Sequence, residues 1–324
     1  MRPEESMRSA LQRVSLMIAA LVVSVTAAAQ GAWPERPVQL IVPFPAGGGV
    51  DVIARPFAEL WSDILHQPVV VVPRDGAAGT IGAAAVAAAK PDGYTFAFTP
   101  NGPITVQPHV IPSLPYKHDD LVPVCQLFAV QYVLAVRADS PYKTLGDLVA
   151  AAKAQPGKLT YGFGGIATAP HLAISQLAIV TNIDMLGVPF RGDPQAIVAL
   201  RAGEIDSAML NIGGAKAQGF RPLATFAEAR QGEIPDTPTV KELGYPVVSA
   251  AFGGLFAPKG LPADIAKKVD SACAKIVADE RFQKAVRQAS QEPVYRNGAD
   301  FARILAADYA IKGDVVKRAG VKAP

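Results

Sequence analysis

An alternation constrains this chain more than any other feature: apolar runs of about five residues, too short for helices, recur between segments whose apolar residues return every three or four positions. That alternation belongs to parallel sheets covered by helices, so the expected fold class is α/β. Strands are predicted at 38–42, 69–72 and 95–99, with helices at 50–65 and 80–89 and a Pro91-Asp92-Gly93 turn after the second helix. A Pro-rich connection, 100–115, leads to strands at 122–128 and 132–138. A second set follows: helix 144–155, strand 158–163, helix 170–180, strand 185–190, helix 194–202, and strands 204–210 and 221–227. The chain then passes through Gly253 to Pro258 and ends in helices at 262–279, 280–290 and 299–319. Pro262 suits a first helical turn, and Asp300 suits the dipole of the last helix.

The beginning of the chain speaks to compartment. Arg8 and Arg13 precede an apolar run, 16–29, that closes on Ala27, Ala28 and Ala29. Residues 1–30 therefore read as a secretory signal peptide. The run is shorter than the roughly 20 residues a membrane-spanning helix needs. Cleavage is expected between Ala29 and Ala32, with Met1 or Met7 as initiator, and the mature protein is expected in the periplasm. No Cys stands there to carry a lipid anchor. Without residues 1–29 the chain keeps 28 basic and 26 acidic side chains, interspersed, which argues against a nucleic-acid or membrane-surface partner. Cys125 lies in a strand-like run and Cys273 on a helix face, and the expectation is two separate buried thiols. The four His are scattered and no metal-ligand spacing occurs, so no metal is expected.

Two Gly-rich loops stand out. Pro43-Phe44-Pro45-Ala46-Gly47-Gly48-Gly49-Val50-Asp51 joins the first strand to its helix. Glycines there let backbone approach a ligand closely, and the helix N-terminus suits an anion. Asp51 is read in two ways: capping, the ordinary role of an Asp in a first turn, or orientation of donors around a ligand. The second loop, Tyr161 to His171, has the same placement. Its Gly162, Gly164 and Ala167 match a relaxed dinucleotide fingerprint, with Asp184 about twenty residues on. A Rossmann-like oxidoreductase using the Gly162 to Ala167 loop is therefore the rival reading. Export away from the nicotinamide pool counts against it, as does Asp184 falling at the start of its strand. Thr168 is read as a helix cap or as a hydroxyl presented to a carboxylate, and His171 as a packing or capping imidazole. Asn101, after the third strand, is a candidate ligand contact or a turn former. Arg191 is a candidate partner for a distal carboxylate. Phe44 and Phe190 are candidate apolar walls whose default role is core packing. Nothing in the sequence supplies a nucleophile elbow, a P-loop or a paired-carboxylate motif.

With these segments in hand, the chain resembles the Bug family, extracytoplasmic solute receptors of tripartite tricarboxylate transporters. The resemblance is carried by Trp33-Pro34-Glu35-Arg36-Pro37, Val42 to Gly48, Gly79-Thr80-Ile81-Gly82, Lys90 to Tyr94, Pro170-His171-Leu172, Val188-Pro189-Phe190, Ile234 to Val240 and Gly254 to Pro258, in order along the chain. It implies a two-lobed periplasmic-binding-protein fold, type II-like, with ligand in the interlobe cleft, and capture of a small carboxylate rather than catalysis. A dicarboxylate or an aromatic acid is favoured, and no cofactor is implied. The implied partners are the permease subunits of a tripartite tricarboxylate-type transporter or a sensor kinase, approached by a monomer. The lobes are expected at 33–136 plus 253–324 and at 137–252. The resemblance places the pincer at Phe44, Ala46, Gly47, Gly48 and Asp51 from one lobe and Gly165, Ala167 and Thr168 from the other. Two departures fall in the distal half: the second loop is poorer in Ser than is usual, and Ser207 to Asn211 leads into a shortened Gly213-Gly214-Ala215 segment.

Overall fold

The computed structural model describes residues 33–322 apart from residue 250; the expected signal peptide lies outside the described residues. In chain order the first elements are β1 (Val38–Val42), α1 (Gly49–Leu65), β2 (Val69–Pro73), α2 (Thr80–Ala87) and β3 (Thr95–Pro100). Two short helical turns, α3 (Gly102–Thr105) and α4 (Gln107–Val110), occupy the Pro-rich connection and precede β4 (Leu121–Val130). β1 pairs in parallel with both β2 and β3, so three strands deliver their C-terminal ends, and the loops that follow, to one edge. α1 buries Ile53, Phe57, Leu60 and Trp61, spaced to fall on one helical face. The Phe57 ring lies 5.4 Å from Phe98 and the Trp61 ring 5.3 Å from Phe96. Burying each such side chain stabilises by about 1.5–3 kcal/mol.

The second group is β5 (Tyr132–Val136), α5 (Leu145–Ala154), β6 (Thr160–Phe163), α6 (Ala169–Thr181), β7 (Leu186–Pro189), α7 (Asp193–Ala202), β8 (Ser207–Asn211), α8 (Ile212–Ala217) and β9 (Arg221–Thr225). They form a five-stranded sheet, β7-β6-β8-β5-β9, in which β6 is parallel to β7 and β8. β10 (Ala251–Pro258) then returns to the first sheet, antiparallel between β3 and β4. α9 (Ala263–Ala278), α10 (Glu280–Gln288), β11 (Glu292–Asn297) and α11 (Gly298–Ala319) complete the chain, and the first sheet reads β11-β4-β10-β3-β1-β2. Gly254 is required at the centre of this sheet, since a Cβ there would collide with the Cys125 carbonyl.

Four expectations are corrected. Tyr132–Val136, predicted to end the first lobe, pairs with β8 and β9 in the second sheet, so the chain leaves the first sheet at Gln131. It re-enters at Ala251, ahead of Gly253. Cys125 and Cys273 are bonded to each other across 148 residues: β4 and α9 pack face to face and set their Cα atoms 6.5 Å apart. The terminal helices return to the first lobe but are not confined to it. α9 and α10 pack beside α1, but α11 also meets the second lobe, where Val315 and Val316 share a buried cluster with Val106, Val110, Ala167 and Leu172.

Candidate functional site

The first Gly-rich loop leaves β1 with Pro45, Ala46 and Gly47 exposed. Gly47 takes φ +78°, a conformation that disfavours side chains. The loop is held from inside. One carboxylate oxygen of Asp51 accepts from the Gly47 N–H at 2.9 Å and from Arg55 Nε at 2.8 Å, while the Gly48 N–H donates to Pro45 O at 3.1 Å. Asp51 therefore caps and braces, and two of the amides expected to face a ligand are already bonded within the loop. Burial pushes the Asp51 carboxyl up, but the Arg55 and Gly47 bonds prevail and hold it below its ordinary value. Its second oxygen, Oδ1, is buried without a protein partner among the described residues. Phe44 lies over the loop after β2: a Cβ on Gly79 would stand 3.2 Å from the Phe44 ring and 2.8 Å from Pro103.

The second loop is braced differently. The His171 ring stacks on Phe163 at 4.3 Å, the two planes nearly parallel, and its Nδ1 accepts from the Ala167 N–H at 3.1 Å. Burial pushes the imidazole pKa down, which keeps that nitrogen an acceptor. The Thr168 hydroxyl donates to Gly165 O at 2.7 Å, inside the loop, and Thr168 caps α6 without a side-chain bond to the helix. Ala167, at φ +56°, is buried among residues of both lobes, and its carbonyl accepts from Gln107 Nε2 at 3.4 Å.

The remaining predicted residues divide. Asn101 is wholly engaged: its side chain donates to Asp308 at 2.7 Å and accepts from Phe252 N at 3.4 Å, and its N–H donates to Phe252 O. It ties β3 to the returning strand. Asp308 in turn lies 3.9 Å from the buried Lys312, whose ammonium donates to Ser249 at 2.7 Å beside the same crossing. Phe190 packs on the core near Gly162, its default role. Arg191 is exposed, its backbone N–H bonded to Gln195 and its guanidinium in none of the ion pairs of the described residues. Asp184 lies at the far end of β7, beside Gly157, so it does not accompany the Gly162 to Ala167 loop as a ribose-binding acid would.

Several residues at the seam between the lobes escape sequence reasoning. Ser290 and Gln291, in the bend after α10, bridge the two lobes. A Cβ on Gly49 would lie 3.6 Å from Gln291 Nε2, and one on Gly213 would meet the Ser290 side chain. A cavity of about 230 Å³ opens here, lined by residues including Gln131, Ile212, Gln231 and Gln291. The side-chain oxygens of Gln131 and Gln291 are buried without protein partners among the described residues. On the second lobe, one oxygen of Asp193 accepts from Asn211 N at 3.0 Å and Asn211 Nδ2 at 2.6 Å, and Asn211 caps α8 through Gly214 N. No motif marks these groups in the sequence, because the crossing at Gln131, the start of α7, the end of β8 and the bend after α10 carry them from distant stretches. The segment after β3 thus meets the loop after β6 through Gln107 and Ala167, and the bend at Ser290 and Gln291 stands between the loop after β1 and the segment after β8. Among the described residues no helix is long and apolar enough to cross a membrane, and no three His, Cys, Asp or Glu side chains converge as a metal site would require.

Comparison with known proteins gives that seam a context. The family model described as "Tripartite tricarboxylate transporter family receptor" matches residues 53–321. The chain belongs to that family. A UPF0065 protein of Bordetella pertussis is 32% identical over 323 residues, 97% of this chain and 98% of its own. The protein BugT of the same organism is 36% identical over 235 residues, 70% of this chain and 72% of its own. Among solved structures, a TctC solute-binding protein from Polaromonas, without ligand, superposes with TM-score 0.81 at 30% identity, covering 89% of this chain and all of that one. A protein of R. palustris solved with adipate gives 0.76 at 28% identity, covering 90% and 99%. MatC from Rhodopseudomonas palustris with bound malate gives 0.72 at 28% identity, covering 88% and 100%. The fold is the two-lobed one of periplasmic solute-binding proteins, and the family is one of periplasmic binding receptors rather than enzymes.

Proposed function

We propose that this receptor captures a small carboxylate in the cleft between its lobes, outside the cytoplasmic membrane, and presents it to the membrane subunits of a tripartite tricarboxylate-type uptake system. The observation that carries this reading is the convergence of strand-end loops from both sheets on one seam, where open α/β sheets bind their ligands. The bound malate and adipate of two relatives support an acid as the class of cargo. The lobes of this reading are residues 33–130 plus 251–322 and residues 132–249, hinged at the two crossings. Closure about those crossings covers the ligand and creates the surface a membrane partner reads. The proposed binding set keeps Phe44, Ala46, Gly47, Gly48, Gly165, Thr168 and Arg191, with Asp51 as the brace of its loop. Dicarboxylates and aromatic acids remain the favoured stems.

Thermal-shift and calorimetric titration against aliphatic and aromatic mono-, di- and tricarboxylates tests the proposal. One class of acid should stabilise the protein. Gly48→Leu should abolish that binding with little loss of fold: Gly48 has φ −74°, and the added Cβ meets only Pro45 O at 3.0 Å, in an exposed loop that can shift. Unchanged affinity in Gly48→Leu would remove the loop from the site. Stabilisation by nicotinamide cofactors instead of acids would overturn the receptor reading.

A further inference from the structure

We propose that a hollow at the hinge, separate from the cargo cleft, is a second binding site, and that it takes a monocarboxylic acid with an apolar body. A cavity of about 540 Å³ lies between the first sheet and α11, and both crossings line it, Gln131 on the way out of the first sheet and Val248 on the way back. None of the residues around it belongs to the two Gly-rich loops or to the segments after β3 and β8. Its size falls among small-molecule pockets, roughly 300–1,000 Å³. Because both crossings line it, rotation of one lobe against the other reshapes it. An acid seated there therefore favours the lobe arrangement in which the cavity exists.

The lining selects the acid. Val248, Phe252, Ile304 and Ile311 make the wall largely apolar, and Ile311 is 43% exposed. One cation stands beside them. Arg296, on β11, donates from Nη1 to Oε1 of Gln126 at 2.8 Å. Gln126 is buried in β4, 1% exposed, and its amide nitrogen donates to Phe128 O at 3.3 Å. A glutamine inside a sheet costs stability unless its polar atoms are bonded, and the bonded oxygen here fixes the guanidinium at the cavity wall. Among the described residues no carboxylate stands within ion-pair distance of Arg296. The N–H groups that Gln126 does not take form a planar fork already held in place for a carboxylate. The acids of the cavity are engaged, with one exception. Glu228 pairs with Lys241 at 2.8 Å, and Asp308 accepts from Asn101 and lies 3.9 Å from Lys312. Glu292 has no ion pair among the described residues, but it pairs with Ala129 at one end of β11 while Arg296 pairs with Gln126 toward the other. Four residues of strand set their backbones roughly 13 Å apart. A single carboxylate therefore sits with Arg296, and a second one at the far end of the ligand would meet Glu292.

Octanoate is the probe, beside octanol and octylamine, which keep the chain and change its head, and suberate, which adds a carboxylate. In isothermal titration on the full chain, octanoate should bind, and the other three should bind at least about tenfold more weakly. Arg296→Gln, which keeps a donor for Gln126, should weaken octanoate about tenfold or more. Ala307→Trp, at an exposed position of α11 on the cavity wall, should exclude it by filling the space. Gly48→Leu, in the loop of the cargo cleft, should bind it as the wild type does. If the loss of Arg296 unfolds the protein, Ala307→Trp decides, since its position is exposed. Octanoate lost in Gly48→Leu and kept in Ala307→Trp would put the acid in the cleft and overturn the second site. No binding of octanoate, or tighter binding of octylamine or suberate, overturns it as well. None of these outcomes touches the cleft reading, which the short acids decide on their own.

Discussion

The two Gly-rich loops share one plan, a strand, a turn of small residues and a helix N-terminus, yet they are held by different physics. The first is stiffened by charge: one oxygen of Asp51 gathers Gly47 and Arg55 while the tip stays in water. The second is stiffened by packing: His171 lies flat on Phe163, and Ala167 is buried between the lobes. Their surroundings differ in the same sense. The first lobe is stapled by the Cys125–Cys273 bond, and all cysteines of the chain are spent there. The second lobe has no such bond and packs around its apolar clusters. The first loop is thus a local device on a rigid base, and the second transmits the relative position of the lobes.

The largest expected effect breaks the comparison at its base. Replacing Cys125 and Cys273 by Ala reopens a closure of 148 residues, worth about 5 kcal/mol in the chain-entropy account. Hydrogen exchange should show the loss in β4 and α9, with β6 and β8 keeping their protection. Equal loss in both sheets would mean that the lobes unfold as one unit through the cluster around Val315, and the contrast between a stapled and an unstapled lobe would disappear.

Next in size is Asp51→Ala. It leaves the Gly47 N–H and the Arg55 guanidinium without their acceptor and should cost about 1–3 kcal/mol by chemical denaturation, together with most of the ligand affinity. The folded pKa of Asp51 is depressed, so its contribution is present above the ordinary value of 3.8 and fades as pH falls through the lower folded value. His171 sets a separate window for the second loop. Its folded pKa is lowered by burial from 6.5, so the unfolded chain takes up the proton first and stability falls as pH drops below 6.5. His109, also lowered, adds to the same decline. His171→Gln, which keeps an acceptor for Ala167 N–H and removes the titration, should flatten the curve between pH 7 and about pH 5.5 relative to wild type. Superposable curves would show that the second loop carries no proton switch.

Much of this was legible in the sequence, for a physical reason. Strands such as Val38–Val42 and helices such as Gly49–Leu65 announce themselves by period because one face or two must be buried locally. What was not legible depends on distance along the chain. The disulfide needed β4 and α9 to be placed in space. Glu292–Asn297 hid because it is a half-exposed edge strand with Glu, Pro, Arg and Asn among its six residues. Tyr132–Val136 read as a strand, but its sheet is chosen by β8 and β9, which come later in the chain. At the site, the two loops were found by their glycines. Asn101 reads as a ligand contact or a turn former because Asp308, which takes its amide, lies 207 residues away.

The smallest expected effect sharpens the comparison most. The Thr168 hydroxyl donates inside its own loop, so Thr168→Val should lower stability by about 1 kcal/mol, the worth of one hydrogen bond. That donation uses only its proton, and the oxygen still has lone pairs to accept from a ligand or a bridging water. If the hydroxyl only braces, affinity should weaken in step with stability, by less than tenfold, as expected of a loop that acts through packing. If affinity falls by much more while the melting temperature barely moves, Thr168 touches the cargo, and the second loop grips directly as well as transmitting lobe position. Isothermal titration on Thr168→Val, set beside its melting temperature, separates these outcomes, and Thr168→Ser, which restores the hydroxyl, should recover whichever property is lost.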